Sequence, residues 1–325
     1  MRRVLEQQIP ESAGETAEAV SLDVYVYDGE PLEIHLGDIN SQFPLNLAYN
    51  LGFLEEEFEG SNVTFTMDYF QNGPAISEAF ASGDLDFAEF GEQAAISGIS
   101  ADYGYKIIGG NCDTETMYPL VVNMDITDAE SLKGAKIAVS VGTSAHYLLL
   151  SYLESMGLSE YDIELVNTND TVTLLASGEV QGAADQMAKF SSLIDAGEVH
   201  VLADGTASQT CQISAFVGRN EFCEQYPEIT AKILRAVQNV DDWMAESEEN
   251  QKEAFSTLAE ITQREEEWFS TMYGGSNFGA DLTEQDLRVL EEVLQFMKDN
   301  ELLSNPDITM DDVLDLSYLE LAGLR

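Results

Sequence analysis

One order of elements occurs twice in this chain, and it limits the available folds more than any other feature. Residues 32–37 (LEIHLG) read as a buried strand that passes through a polar turn, 38–42, into an amphipathic helix at 43–58. Residues 136–141 (KIAVSV) repeat the pattern through Gly142-Thr143-Ser144 into a helix at 145–156. Each unit continues with a second strand, at 62–70 and 162–166, both alternating or β-rich. Each then has a short helix that stops on the same tripeptide, Ala81-Ser82-Gly83 and Ala176-Ser177-Gly178, 95 residues apart, ahead of a third strand. Glycine there supplies the left-handed residue that ends a helix before a short connection. Strands alternating with helices imply parallel, doubly wound sheets. Two such units imply an α/β protein of two similar lobes.

After Arg219 the pattern becomes helical, with amphipathic runs at 227–243, 252–262 and 282–298 and short closing helices near 309–314 and 318–324. The stretch Gly274-Gly275-Ser276-Asn277-Phe278-Gly279 has neither GxGxxG nor a Walker lysine, so it reads as a loop between helices rather than a phosphate cradle. Composition then removes whole function classes. The 325 residues carry 60 acidic and 14 basic side chains, a formal charge of −46. A phosphate backbone needs clustered Lys and Arg, so nucleic acid is excluded as a partner, as is an anionic membrane face. The excess reads as a solvated surface and names no ligand. No apolar stretch approaches the ~20 residues of a membrane span. Residues 1–30 are expected to be a tether or disordered leader, without a secretory apolar core.

Cys112, Cys211 and Cys223 are odd in number and widely spaced. That rules out a disulfide scaffold and a Cys-x-x-Cys metal site; they read as reduced, mostly buried thiols, with one bridged pair as the alternative. His35, His146 and His200 are scattered, so no zinc site forms and no cofactor is expected.

Ligands of open α/β sheets bind where strand ends pass into helix starts. Position alone therefore nominates Asn40, Ser41, Gln42, Asn72, Gly91, Glu92 and Asn111 in the first unit. The second gives Gly142 to His146, then Gln186 and Met187. The sharpest group is Gly142-Thr143-Ser144-Ala145-His146. Glycine lets the backbone approach a ligand, and the free amides of a first helical turn favour an anion. Simple N-capping by Thr143 or Ser144 is the competing reading. Local donors in a closed cleft outweigh the repulsion of distant, screened charges. Glu92 either complements a helix dipole or holds a cationic group on a zwitterionic ligand.

The chain resembles the solute-binding proteins of ABC transporters in the nitrate, taurine and aliphatic-sulfonate group, which share a type 2 periplasmic-binding-protein fold with thiamine-precursor binders. The resemblance rests on Ala48-x-x-x-Gly52-x-x-Glu55, Gly83-Asp84-Leu85-Asp86-Phe87, Leu132-Lys133-Gly134-Ala135-Lys136-Ile137-Ala138-Val139, the turn Gly142 to His146, and Phe216 to Pro227. It spans residues 31–320. It implies an extracytoplasmic protein, periplasmic or lipid-anchored, that acts as a monomer, closes on a small anion or zwitterion and docks on an ABC permease. It also implies a two-strand hinge, with lobe I formed by 31–121 and 212–325, helices included, and lobe II by 122–211. The alternatives are a binder of a pyrimidine, thiamine precursor or other amine-bearing heterocycle and, more remotely, a desulfinase-like enzyme. The desulfinase cysteine is absent from the turn Asn40-Ser41-Gln42, so no enzymatic chemistry is expected.

Overall fold

A computed structural model describes residues 21–39, 44–112, 115–273 and 279–325. Among the described residues ten strands run in chain order: β1 (Leu32–Asp38), β2 (Val63–Tyr69), β3 (Phe87–Gly91), β4 (Tyr105–Cys112), β5 (Leu120–Asn123), β6 (Lys136–Val139), β7 (Glu164–Asn167), β8 (Gly182–Ala184), β9 (Val199–Ala203) and β10 (Ile213–Arg219). They form two five-stranded sheets of the same design, β2-β1-β3-β10-β4 and β7-β6-β8-β5-β9.

The sheets are mixed rather than wholly parallel as expected. β1 runs parallel to β2 and β3, and β6 parallel to β7 and β8. β10 is antiparallel to β3 and β4, and β5 to β8 and β9. The reversed strand in each sheet is the one that arrives from the other. β5 follows β4 into the second sheet and β10 follows β9 back into the first, and a chain entering from the neighbouring sheet's end has to run against its new partners. The two connections touch each other, with the Gly205 amide donating to the Glu115 carbonyl at 2.7 Å.

The repeated tripeptides end their helices in the same way. Gly73–Ser82 stops at Gly83 (φ 79°) and Thr171–Ser177 stops at Gly178 (φ 75°). In each, the glycine amide and the next one reach back to carbonyls in the last turn, which satisfies acceptors that a helix end leaves open. The helix expected at 43–58 is instead two short ones, Leu45–Asn50 and Phe53–Glu57. Gly52 breaks it by adopting φ 85°, which side chains rarely take. The helix Glu266–Tyr273 falls within the stretch after Arg219 expected to be helical, between two of its named runs.

Pro227–Glu246 lays Ile229, Ile233, Leu234 and Val237 on one face of the first sheet, against Ile34, Leu36, Phe87 and Phe216. Residues 21–30, expected within a tether, are docked there too. Leu22 is buried, Arg235 pairs with Asp23 at 2.8 Å, and Lys232 Nζ donates to the Tyr25 carbonyl. The other face of the first sheet shares a continuous apolar cluster with the second, through Glu284–Asp299: Val289, Val293 and Met297 join Ile107 and Ala215 to Val139 and Leu148. Cys211 is disulfide-bonded, against the expectation of three reduced thiols. Cys223 is free and buried, and burial pushes its thiol up to about 12.

Candidate functional site

A cavity of about 640 Å³ lies where the carboxyl ends of the two sheets meet. Four helices begin on its wall, two from each sheet: Gly73–Ser82, Glu92–Ser100, Ser144–Ser155 and Met187–Asp195. Their N-cap residues Asn72, Gly91, Thr143 and Gln186 all line it. Asn72 caps its own helix, its Oδ1 accepting from the Ala75 amide at 3.1 Å. The other three make no side-chain cap.

The turn before Ser144 is one of these three uncapped starts. Gly142 takes φ 82° and swings the chain off β6. The Thr143 hydroxyl, expected to cap, donates to the Ser140 carbonyl at 2.7 Å instead. The His146 and Tyr147 amides go to the Thr143 carbonyl. The Ser144 and Ala145 amides therefore have no acceptor among the described residues. Unpaired donors at the positive end of a helix dipole favour an anion. The turn also faces the first sheet, because Ser144 Oγ stands 3.7 Å from where a Cβ on Gly91 would lie. Gln93, 4 % exposed, lines the cavity with neither Oε1 nor Nε2 bonded.

The structure thus brings Asn72 and Gly91 together with Gly142, Thr143, Ser144, Ala145 and Gln186 around one cavity. Glu92, Asn111, His146 and Met187 do not line it, and Asn40, Ser41 and Gln42 lie outside the described residues. Glu92 is fully buried and turns to the start of β10, where Oε2 accepts from the Ile213 amide at 3.2 Å. Oε1 has no hydrogen-bond partner, although the Ser144 hydroxyl is near enough to favour the charged form. Burial pushes Glu92 up to about 7. Its placement does not suit holding a ligand's amine. His146 is buried with its pKa lowered by desolvation, and its Nδ1 accepts from the Gly142 amide at 3.4 Å. It steadies the turn. The Met187 amide donates to the Met117 carbonyl at 2.8 Å, and its side chain packs on the first sheet's apolar cluster.

Asn111 sits on β4 beside a layer of buried acids. Glu89 Oε2 accepts from the Leu45 amide at 2.9 Å and Oε1 from Ser214 Oγ at 3.0 Å, while Asp38 takes the Asn46 amide group. Burial pushes Glu89 up to about 8. Two cations on the cavity wall, Lys189 and Arg264, went unforeseen. Lys189 follows Gln186 by one helical turn, which was a usable signal. Arg264 follows a left-handed Gln263 at a helix junction (φ 56°), for which the sequence gives no local cue. Among the described residues there is no group of His, Cys, Asp and Glu suited to a metal ion and no helix long and apolar enough to cross a membrane.

Residues 42–251 match the family model described as NMT1/THI5 like. A Bacillus subtilis protein named for aliphatic sulfonates binding is 23 % identical over 296 residues, 89 % of this chain and 88 % of its own. The taurine-binding periplasmic protein of Escherichia coli is 23 % identical, covering 74 % and 78 %. Among solved structures, the periplasmic aliphatic sulphonate binding protein of Escherichia coli superposes with TM-score 0.71 at 20 % identity, covering 84 % and 89 %. A mutant of DSZB in complex with biphenyl-2-sulfinic acid superposes at 0.70 and 16 % identity, covering 91 % and 100 %. At such identities these structures establish the fold alone, which is that of periplasmic binding proteins.

Proposed function

Because this chain belongs to the NMT1/THI5-like family, we propose that it is the extracytoplasmic solute-binding component of an ABC importer, and that it captures a small organic anion of the sulfonate class. The observation that carries this reading is the pair of open amides at Ser144 and Ala145, at an uncapped helix start inside a cavity shared by both sheets. A tetrahedral oxyanion offers several acceptors to such donors without needing a full counter-charge. The relatives named for sulfonates and taurine support the same class. In this reading residues 32–112 with 213–325 form one lobe and 120–203 the other, because β5 lies wholly in the second sheet rather than being split at the expected break after 121, and they hinge on the two crossing connections to enclose the solute before delivery to a permease.

The disulfide at Cys211 fits an oxidising compartment. Cys223 lies away from the cavity and is held as a thiol by burial, which speaks against covalent chemistry there. A heterocycle binder would need an aromatic sandwich with a free carboxylate. Tyr118 is the one aromatic among the described wall residues, and Asp185 is already bonded to Lys189, Thr171 and the Gln186 amide.

Calorimetric unfolding in the presence of propanesulfonate, taurine, nitrate and a pyrimidine tests the proposal. A true ligand at ~100 times its Kd stabilises by about 2.7 kcal/mol. Stabilisation by sulfonates is the expected result; a response to the pyrimidine alone would overturn it in favour of the heterocycle.

A further inference from the structure

Lys189 and Arg264 both line the cavity, but their electrical situations differ. Lys189 is neutralised by Asp185 at 2.8 Å. Arg264 has no carboxylate within ion-pair distance among the described residues. That is notable in a chain with 60 acidic side chains, three of which, Glu265, Glu266 and Glu267, follow it directly. Its guanidinium lies over the Trp268 ring, 4.2 Å from the centroid. Stacking of this kind orients the planar fork and leaves its N–H edge available for a bidentate acceptor. The cavity, about 640 Å³ and open to solvent on one side, has room for a ligand longer than a sulfonate head group. Part of its wall is apolar, from Ile39, Pro74, Ala94, Met297 and Leu302.

From these features we infer that the solute carries a second acidic group, a carboxylate or equivalent at the far end of a short apolar chain, and that Arg264 is the residue that selects it. The inference rests on the sulfonate reading above: the Ser144 and Ala145 amides take the sulfonate, the apolar wall takes the chain, and Arg264 takes the second charge. Arg264 is exposed in this conformation, so closure over a ligand without that charge would strip water from the guanidinium and give its donors nothing in exchange. A solute with a terminal amine would meet Arg264 with like charge. Both disfavour simple alkanesulfonates and taurine relative to a sulfo-carboxylate.

Isothermal titration with matched ligands tests this. Sulfopropionate and propanesulfonate differ only in a terminal carboxylate against a methyl, and longer homologues of each extend the comparison. The natural protein should bind the sulfo-carboxylate about tenfold or more tighter at its best chain length. Arg264→Gln should erase that preference by weakening the sulfo-carboxylate, with propanesulfonate bound at least as tightly as before. Lys252→Gln, which removes an exposed charge from the helix Glu248–Thr262 outside the cavity, should leave the preference intact. Equal weakening of both ligands by Arg264→Gln would overturn the proposal, because the arginine would then share the sulfonate. A preference that survives Arg264→Gln, or that Lys252→Gln removes just as well, would overturn it too. Failure of every sulfonate to bind the natural protein would instead bring down the underlying reading.

Discussion

The two sheets share one strand order, yet they finish their central strands in opposite ways. In the first, β1 and β3 pair Leu36 with Phe87, and two residues on stand Asp38 and Glu89, each 1 % exposed. In the second, Ile137 pairs with Gly182, and the matching positions are Val139 and Ala184, also buried. The fold therefore does not require acids at these places. Where it has them, they are used on the next helix: Glu89 accepts from the Leu45 amide and Asp38 from Asn46. At the helix that follows its first strand, the first half occupies the Leu45 amide and the Asn46 side chain with internal carboxylates, whereas the helix that follows the second half's first strand leaves the Ser144 and Ala145 amides open. An anion from outside belongs with the second.

Several substitutions probe this contrast. Glu89→Ala strips the acceptor from Leu45 and Ser214 and leaves a void, so denaturant unfolding should show a loss of about 3 kcal/mol. A loss under ~1 kcal/mol would mean the acid layer is not holding the helix start. Thr143→Asp places a carboxylate at the uncapped start of the helix Ser144–Ser155. Sulfonate affinity measured by titration should fall about 100-fold, or ~2.7 kcal/mol, while the unbound protein gains up to ~1 kcal/mol from the new cap. Gly83→Ala and Gly178→Ala each force a side chain into a left-handed cap and should each cost about 1 kcal/mol. Unequal losses would show that the two halves are less alike in energy than in shape.

The smallest effect concerns pH. Burial already holds Glu92 up at about 7 beside the Ser144 turn, and an anion bound there raises its proton affinity further. Binding then takes up protons, so affinity strengthens as pH falls through about 7 and weakens by up to about tenfold by pH ~8. Glu92→Gln should flatten that profile in titrations across the range. An unchanged slope would place the anion away from this carboxylate.

Legibility in the sequence followed how local the cause was. Gly83 and Gly178 were readable because a helix stop is set by its own glycine. The duplicated strand and helix order was readable because period and spacing are local too. The break at Gly52 was not, since apolar spacing continues across it. Nor was the reversal of β5 and β10, which depends on where the chain comes from rather than on the residues in the strand. At the site, Thr143 was recognisable as a helix start, but the choice of its hydroxyl between the next turn's amides and the Ser140 carbonyl is tertiary. Glu92 was placed by sequence at the strand end, yet its burial against Ile213 depends on a strand 121 residues away. Arg264 reaches the cavity only because the C-terminal helices fold back over it.

The most direct test is a crystal structure of the protein with propanesulfonate bound. The expected result places sulfonate oxygens within hydrogen-bond distance of the Ser144 and Ala145 amides, with the alkyl chain along Met297 and Leu302. A sulfonate seated elsewhere, with those two amides facing water, would contradict the assignment of the anion to the second half.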